Sequence, residues 1–264
     1  MEYALITGAS SGIGLALAHI MASKGHNLIL VARSEQTLLA LEKTLEEKYA
    51  VAVEVMAMDL SLPGQAEILY QCCKAKGLVV NCLVNNAGFG DYGKFDVSKV
   101  AIYKSMLQLN IVFLTELTAY FVDDMKCRGA GRIMNVGSIT AFQPGPNFAA
   151  YAASKAYVMQ FTEALNFELR GTGISVTLLS PGVTETGFVS RANMQNAANA
   201  KSGLMDAHTV AKAGYEAMMA GRLNVTPGWK NKLLTFGSRT MPSREVLLQI
   251  TGAILKDTGK QSGK

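Results

Sequence analysis

Thr7-Gly8-Ala9-Ser10-Ser11-Gly12-Ile13-Gly14 is the stretch on which the reading of this 264-residue chain turns. A short apolar run, Tyr3 to Ile6, precedes it and an amphipathic run, Ile13 to Lys24, follows, so the pattern predicts a strand-to-helix turn holding three glycines. Lacking a Cβ, Gly8 can take a tight turn, Gly12 lets the backbone approach a pyrophosphate, and Gly14 lets the helix pack close to the strand. The unpaired N–H groups and positive dipole end of that helix then face the phosphates. The spacing is G-x-x-x-G-x-G rather than the commoner G-x-G-x-x-G, and taken alone it is equally a plain turn before a helix.

Working outward, Asn27 to Ala32 (NLILVA) is a continuous apolar run of strand length, as in a strand covered on both faces. The usual ribose-binding Asp or Glu at its end is replaced by Ala32, followed by Arg33. A guanidinium there suits a 2′-phosphate, so NADP is expected, with NADPH favoured over NADH. Further strands are predicted at Val51 to Ala57, Cys82 to Val84, Arg132 to Val136, Ser175 to Leu179 and, briefly, Asn224 to Thr226. Helices are predicted at Glu35 to Tyr49, from about Pro63 as a first-turn proline to Lys76, at Lys99 to Arg128, at Ala149 to Arg170 and from Asp206 to Ala220. This alternation predicts an α/β chain: one Rossmann-type domain over 1–264, with a doubly wound parallel sheet of about seven strands and helices on both faces. Residues 187–222 are expected to form a substrate lid region and 227–256 a C-terminal helical extension. Residues 257–264 are expected to be disordered.

Composition narrows the function. At 49% hydrophobic and 17% charged the chain is globular, and no unbroken apolar run approaches the roughly 20 residues of a membrane span. The first strand leaves no room for a leader ahead of it, so a cytoplasmic location is expected. Cys72, Cys73, Cys82 and Cys127 lack metal-ligand spacing, so no metal site is expected. The net charge of +5 is concentrated in the tail, where residues 222–264 hold eight Lys and Arg against two acids. The body is therefore close to neutral, which argues against nucleic acid as a partner.

Tyr151 and Lys155 lie four apart on a predicted helix and so share a face. The strand before that helix ends at Ser138, and at the switch point its neighbour would be the Gly-rich turn. A phenol beside an ammonium is expected to be more acidic than usual and so a usable proton donor and acceptor. Asn110, inside a predicted helix, is expected to distort it or to have a partner.

With these residues in place the chain resembles the classical short-chain dehydrogenases/reductases over about residues 3–190. Thr7-Gly8-x-x-x-Gly12-x-Gly14, Asp59-Leu60, Asn85-Asn86-Ala87-Gly88, Asn110, Ser138, Tyr151-x-x-x-Lys155, Pro181-Gly182 and Thr186 occur in family order. The resemblance implies a catalytic set of Asn110, Ser138, Tyr151 and Lys155. Tyr151 would exchange a proton with the substrate oxygen, Ser138 would hydrogen-bond that oxygen, Lys155 would lower the Tyr151 pKa and bind the nicotinamide ribose, and Asn110 would hold a proton-relaying water. It also implies that Gly8, Ser10, Ser11, Gly12, Ile13, Gly14, Arg33, Asp59, Leu60, Asn86, Ala87, Gly88, Pro181, Gly182, Thr184 and Thr186 contact the cofactor. Within the family the chain looks most like bacterial oxidoreductases related to hydroxysteroid and long-chain ketoacyl reductases.

Two features depart from the family pattern: Gly137 stands where many members carry Ser or Ala, and the tail after Thr226 is long. The tail puts the usual tetramer in doubt, and a homo-oligomer, most simply a dimer, is expected from the apolar surplus of the two longest helices. Phe89, Phe142, Phe148, Val183 and Phe188 are expected near the pocket and favour an apolar carbonyl or alcohol substrate. The alternatives are a 3-ketoacyl thioester (acyl-carrier-protein) reductase and a non-catalytic regulator sensing NADP redox state. A further possibility is a peripheral membrane contact through the stripe beginning at Trp229-Lys230, although such a stripe is expected to pack on its own domain or a partner subunit.

Overall fold

The computed structural model describes residues 1–194 and 204–256. Seven strands form one sheet: β1 (Glu2–Thr7), β2 (Asn27–Ala32), β3 (Val53–Ala57), β4 (Val79–Asn85), β5 (Gly131–Val136), β6 (Ile174–Leu179) and β7 (Asn224–Val225). All pairs are parallel, in the order β3-β2-β1-β4-β5-β6-β7. The order reverses direction between β1 and β4, and that switch point opens a crevice beyond the strands' carboxyl ends.

Helices cover both faces, and the sheet separates two apolar layers. On one side Leu17, Ala18 and Met21 of α1 (Gly12–Ser23) meet Val210, Ala211 and Met218 of α8 (Ala207–Met219) over Ala4, Ile6, Leu28 and Leu30. On the other, α3 (Gln65–Ala75) and α5 (Leu114–Arg128) place Leu69, Leu117, Phe121 and Met125 against Leu5, Ile29, Leu83 and Ile133. The alternation of β1 side chains between the layers is why its residues Ala4 to Ile6 are all fully buried.

Several boundaries move, for identifiable reasons. The helix expected from Pro63 starts at Gln65, because Gly64 takes a left-handed φ of 76° that ends the preceding turn. β3 starts two residues later than expected, and β4 begins at Val79, three residues earlier, through its ladder with β1. The long helix from 97 to 128 is continuous but not uniform. It passes from a 3₁₀ turn through α4 (Val100–Leu107) into a six-residue π-helical turn at Gln108–Phe113, then α5. The π turn surrounds Asn110, the predicted point of distortion.

By length and composition alone this same helix is long and apolar enough to cross a membrane. It is nonetheless bound into the domain, with Leu114, Leu117, Thr118, Phe121, Val122 and Met125 buried against the sheet. Thr184 and Met205 are joined by a parallel bridge, and α7 (Phe188–Arg191) follows Thr184 in the chain. Of the lid expected over 187–222, the part from Ala207 to Met219 is instead α8, whose Val210, Ala211 and Met218 are buried in the layer over the sheet, which corrects that expectation. Residues 195–203 of the expected lid, and the expected disordered end, 257–264, lie outside the described residues. The tail forms α9 (Trp229–Thr240) and α10 (Arg244–Ile254).

Candidate active site

The Gly-rich turn is built as its sequence requires. Gly8 and Gly12 sit at φ of 68° and 59°, where side-chain-bearing residues are strained. A Cβ on Gly14 would strike the Gly8 carbonyl and Asn86 Nδ2, and one on Gly12 would come within 2.7 Å of Thr186 Cγ2. The missing side chain of Gly12 thus admits Thr186, which follows β6 and the Pro181-Gly182 break. Thr7, beneath the turn, ties the switch point together. Its Oγ1 donates to the Val84 carbonyl (3.2 Å) and accepts from the amides of Asn86 and Ala87 (both 3.0 Å). Asn86 Nδ2 returns donors to the carbonyls of Thr7 (2.8 Å) and Gly8 (3.2 Å), so its side chain acts on the turn itself.

Below the crevice a buried polar chain links the two central strands to two helices. Asn85 Nδ2 donates to Thr118 Oγ1 and to Asn135 Oδ1, each at 2.9 Å, and Asn135 Nδ2 donates to Thr162 Oγ1 at 3.0 Å. With both threonines also bonded to their own helix carbonyls, these groups hold the ends of β4 and β5 at one level.

One cavity of about 590 Å3 runs along the crevice. Of the predicted site residues, Gly8, Ser10, Ser11, Gly12, Ile13, Arg33, Asp59, Leu60, Asn86, Ala87, Gly88, Ser138, Tyr151, Lys155, Pro181, Gly182, Thr184 and Thr186 line it. Gly14 and Asn110 do not. Gly14 lies behind the turn, and Asn110 is buried beneath Phe89. At the β2 end, Asp59 accepts from Ser61 N (3.0 Å) and Oγ (2.7 Å). Those bonds, with a smaller contribution from the Arg33 guanidinium, hold its carboxyl below the usual range. The turn therefore fits a dinucleotide: it offers a helix N-terminus framed by positive-φ glycines, and a cation at the far end of the second strand.

Tyr151 and Lys155 come from α6 (Ala149–Glu168), whose inner face also buries Ala152, Ser154 and Val158. They are 6% and 5% exposed. Lys155 Nζ donates to the Val136 carbonyl at 2.7 Å and lies 5.8 Å from the Tyr151 ring centroid. Burial lowers the lysine pKa to about 8. Burial also pushes the Tyr151 phenol above its ordinary value, while a hydrogen bond with Ser138 pulls the other way. The expectation that Lys155 makes this phenol more acidic is thus corrected for the chain by itself, since desolvation dominates and the lysine's nearest partner is a carbonyl. Ser138 caps the 3₁₀ turn Ile139–Phe142, its Oγ accepting from Thr140 N at 3.2 Å.

Asn110 is fully engaged. Its Nδ2 donates to Phe89 O (3.0 Å) and Ser154 Oγ (3.1 Å), and its Oδ1 accepts from Phe89 N (3.2 Å). The side chain is therefore a brace for the β4 loop and α6.

The opposite end of the cavity is apolar. Phe148 stacks on Tyr151 with centroids 4.3 Å apart, and Phe188 approaches the same ring at 5.4 Å. Phe89 and Val183 also line the space; Phe142 does not, being packed with Leu114 and Val158 under the Arg239 guanidinium. Sequence reasoning missed the wall supplied by the tail, Leu234 of α9 with Ile254 and Leu255 beyond. The Leu255 carbonyl is pinned by Tyr92 Oη (2.6 Å) and Asn147 Nδ2 (3.2 Å). It also missed Arg191 of α7, whose Nη1 donates to Ser11 Oγ at 3.3 Å. Amphipathic periodicity in the tail was the only sequence signal, and it does not say what the inner face meets.

Comparison with known proteins places this geometry beside four matches. A family model described as short chain dehydrogenase matches residues 2–197. A 7beta-hydroxysteroid dehydrogenase of Clostridium sardiniense is 31% identical over 230 residues, 84% of this chain and 87% of that protein, and a very-long-chain 3-oxoacyl-CoA reductase of Pyrenophora tritici-repentis is 31% identical over 238 residues, 88% of this chain and 69% of that one. Among solved structures, a short-chain dehydrogenase from Sphingobium yanoikuyae in complex with NADPH superposes with a TM-score of 0.80 at 29% identity, covering 100% of this chain and 99% of the other.

Proposed function

Because the chain belongs to the short-chain dehydrogenase family, we propose that it interconverts a carbonyl and a secondary alcohol on an apolar, steroid-sized substrate with NADP(H), Tyr151 serving as general acid and base. Family membership makes it an oxidoreductase acting on CH–OH groups with a nicotinamide dinucleotide, which sets the redox-sensing regulator aside. The observation that carries the finer reading is the convergence of Ser138, Tyr151, Lys155 and the Gly-rich turn on one cavity whose far end is apolar.

The nicotinamide, when bound, supplies the hydride, which no side chain can. The residues named at the turn, with Arg33, Asp59, Asn86, Lys155 and Thr186, would hold the dinucleotide. The chain's own work is at the oxygen. Tyr151 donates its phenolic proton to the carbonyl oxygen as charge develops there, and takes it back in the oxidative direction. Ser138 donates a second hydrogen bond to the same oxygen. Lys155, as a cation below about pH 8, offsets the phenolate left on Tyr151. Phe148 and Phe188 flank the phenol and exclude water from it. Arg33 favours a 2′-phosphate over a free hydroxyl.

The long helix and α6 leave Ile102, Leu107, Val112, Tyr157 and Phe167 exposed, and this face is where a second copy packs. A 3-oxoacyl thioester is the second reading of the substrate, favoured by the Pyrenophora tritici-repentis relative. The test is NADPH consumption over a panel of hydroxysteroid-derived ketones, bulky ketones and acyl thioesters, with Tyr151→Phe beside wild type. The variant is expected to keep its affinity for NADPH and lose about 10² to 10⁴ in kcat. Wild-type turnover by Tyr151→Phe on a good substrate would refute the assigned acid.

A further inference from the structure

The tail stripe singled out in the sequence packs on its own domain only in part. Trp229, Leu233 and Phe236 are 71%, 64% and 64% exposed, while Thr235 and Ser238 on the other side of α9 are buried and Leu234 lines the cavity. At about 100° per residue the three exposed side chains form one narrow band. Lys230 lies on one flank of it, Lys232 and Arg239 on the other. Arg239 is held by Glu163 (3.2 Å), whereas Lys230 and Lys232 make no ion pair among the described residues. From residue 228 to 256 five Lys and Arg face one acid, Glu245.

We propose that α9 docks in the interfacial plane of an anionic lipid surface, Trp229, Leu233 and Phe236 entering the acyl boundary and Lys230 and Lys232 meeting the headgroups. An apolar stripe between two basic flanks is the pattern of a helix that lies on a membrane. A second copy of the chain fits this band poorly. A two-fold contact centred on it would bring Lys230 and Lys232 close to their own counterparts. The three side chains offer roughly 400 Å2, about half of the ~800 Å2 that each partner brings to a stable interface. A lipid surface requires neither a matching face nor that area. The same helix presents Leu234 to the substrate cavity, so the docking element and the substrate space share a wall.

Trp229 is the chain's single tryptophan, so its emission reports on the stripe directly and without reference to activity. The full chain is titrated with phosphatidylcholine vesicles and with vesicles in which roughly a third of the lipid is phosphatidylserine. A blue shift with the anionic vesicles, reversed by salt, is expected. Lys230→Ala and Lys232→Ala should each weaken partitioning about fivefold. Leu233→Ser with Phe236→Ser should abolish the shift while NADPH binding and the thermal midpoint stay as in wild type, since neither residue lines the cavity. Unchanged emission with both vesicle types overturns the proposal, and an equal shift with neutral vesicles overturns its anionic part. A shift that appears without lipid as protein concentration rises, together with a mass increase by light scattering, assigns the stripe to a second copy. A shift with polyglutamate but not with vesicles assigns it to an acidic polypeptide instead. Either result refutes lipid docking.

Discussion

Replacing Lys155 by Met should flatten the pH dependence of stability. Lys155 is buried with its ammonium on the Val136 carbonyl, and burial lowers its pKa to about 8, against about 10.4 for a lysine in an unfolded chain. A base whose folded pKa is depressed binds fewer protons in the native state than in the unfolded state between those two values. Stability contributed by this group therefore rises with pH across that window and is flat on either side. Integrated over the window, the lysine costs about 3 kcal/mol at pH 7 and about 1 kcal/mol at pH 9.5, a gain of about 2 kcal/mol. For a chain of this length that corresponds to a thermal midpoint higher by about 3 to 4 °C. Tyr151 acts in the opposite sense, because its folded pKa is raised. It stabilises the fold below the ordinary tyrosine value and loses that contribution above it, so the comparison stops at pH 9.5.

Lys155→Met removes the buried charge while leaving Val136 O without its donor, a loss of about 1 to 3 kcal/mol independent of pH. The assay is urea unfolding of wild type and variant without cofactor at several pH values from about 7 to 9.5, at constant ionic strength. Wild-type stability should climb towards higher pH relative to the variant by about 2 kcal/mol. Parallel profiles would refute the assignment of a depressed, buried lysine and, with it, the account of how Lys155 responds to Tyr151.

Arg33→Ala should weaken NADPH binding by about 1.5 to 3 kcal/mol and leave NADH nearly untouched, as read by fluorescence titration of both cofactors. Equal affinities for the two in wild type would refute the 2′-phosphate reading. Tyr92→Phe removes the 2.6 Å bond to the Leu255 carbonyl, loosening the tail wall. The KM for an apolar ketone should rise several-fold while NADPH affinity holds, and an unchanged KM would show that the wall does not depend on this bond.

The sheet and the cofactor end of the cavity were legible in the chain because their determinants are local. The apolar run Asn27–Ala32, the glycines at 8, 12 and 14 and the four-residue step from Tyr151 to Lys155 each state a backbone geometry or a shared helix face within a few residues. The start of the helix at Gln65 and the early start of β4 depended on a left-handed glycine and on ladder partners far away in the chain. Residues far apart in the chain decided the rest. Desolvation of Tyr151 and Lys155 comes from the walls of Phe148 and Phe188 and from the depth of α6, and no spacing rule carries it. The commitment of the Asn110 side chain to Phe89 and Ser154 needs the β4 loop and α6 brought together. The sequence shows that α9 is amphipathic, but not which of its faces meets protein. Only the tertiary packing could turn Leu234 to the cavity and leave Trp229, Leu233 and Phe236 outside, because burial is a property of what arrives from elsewhere in the chain.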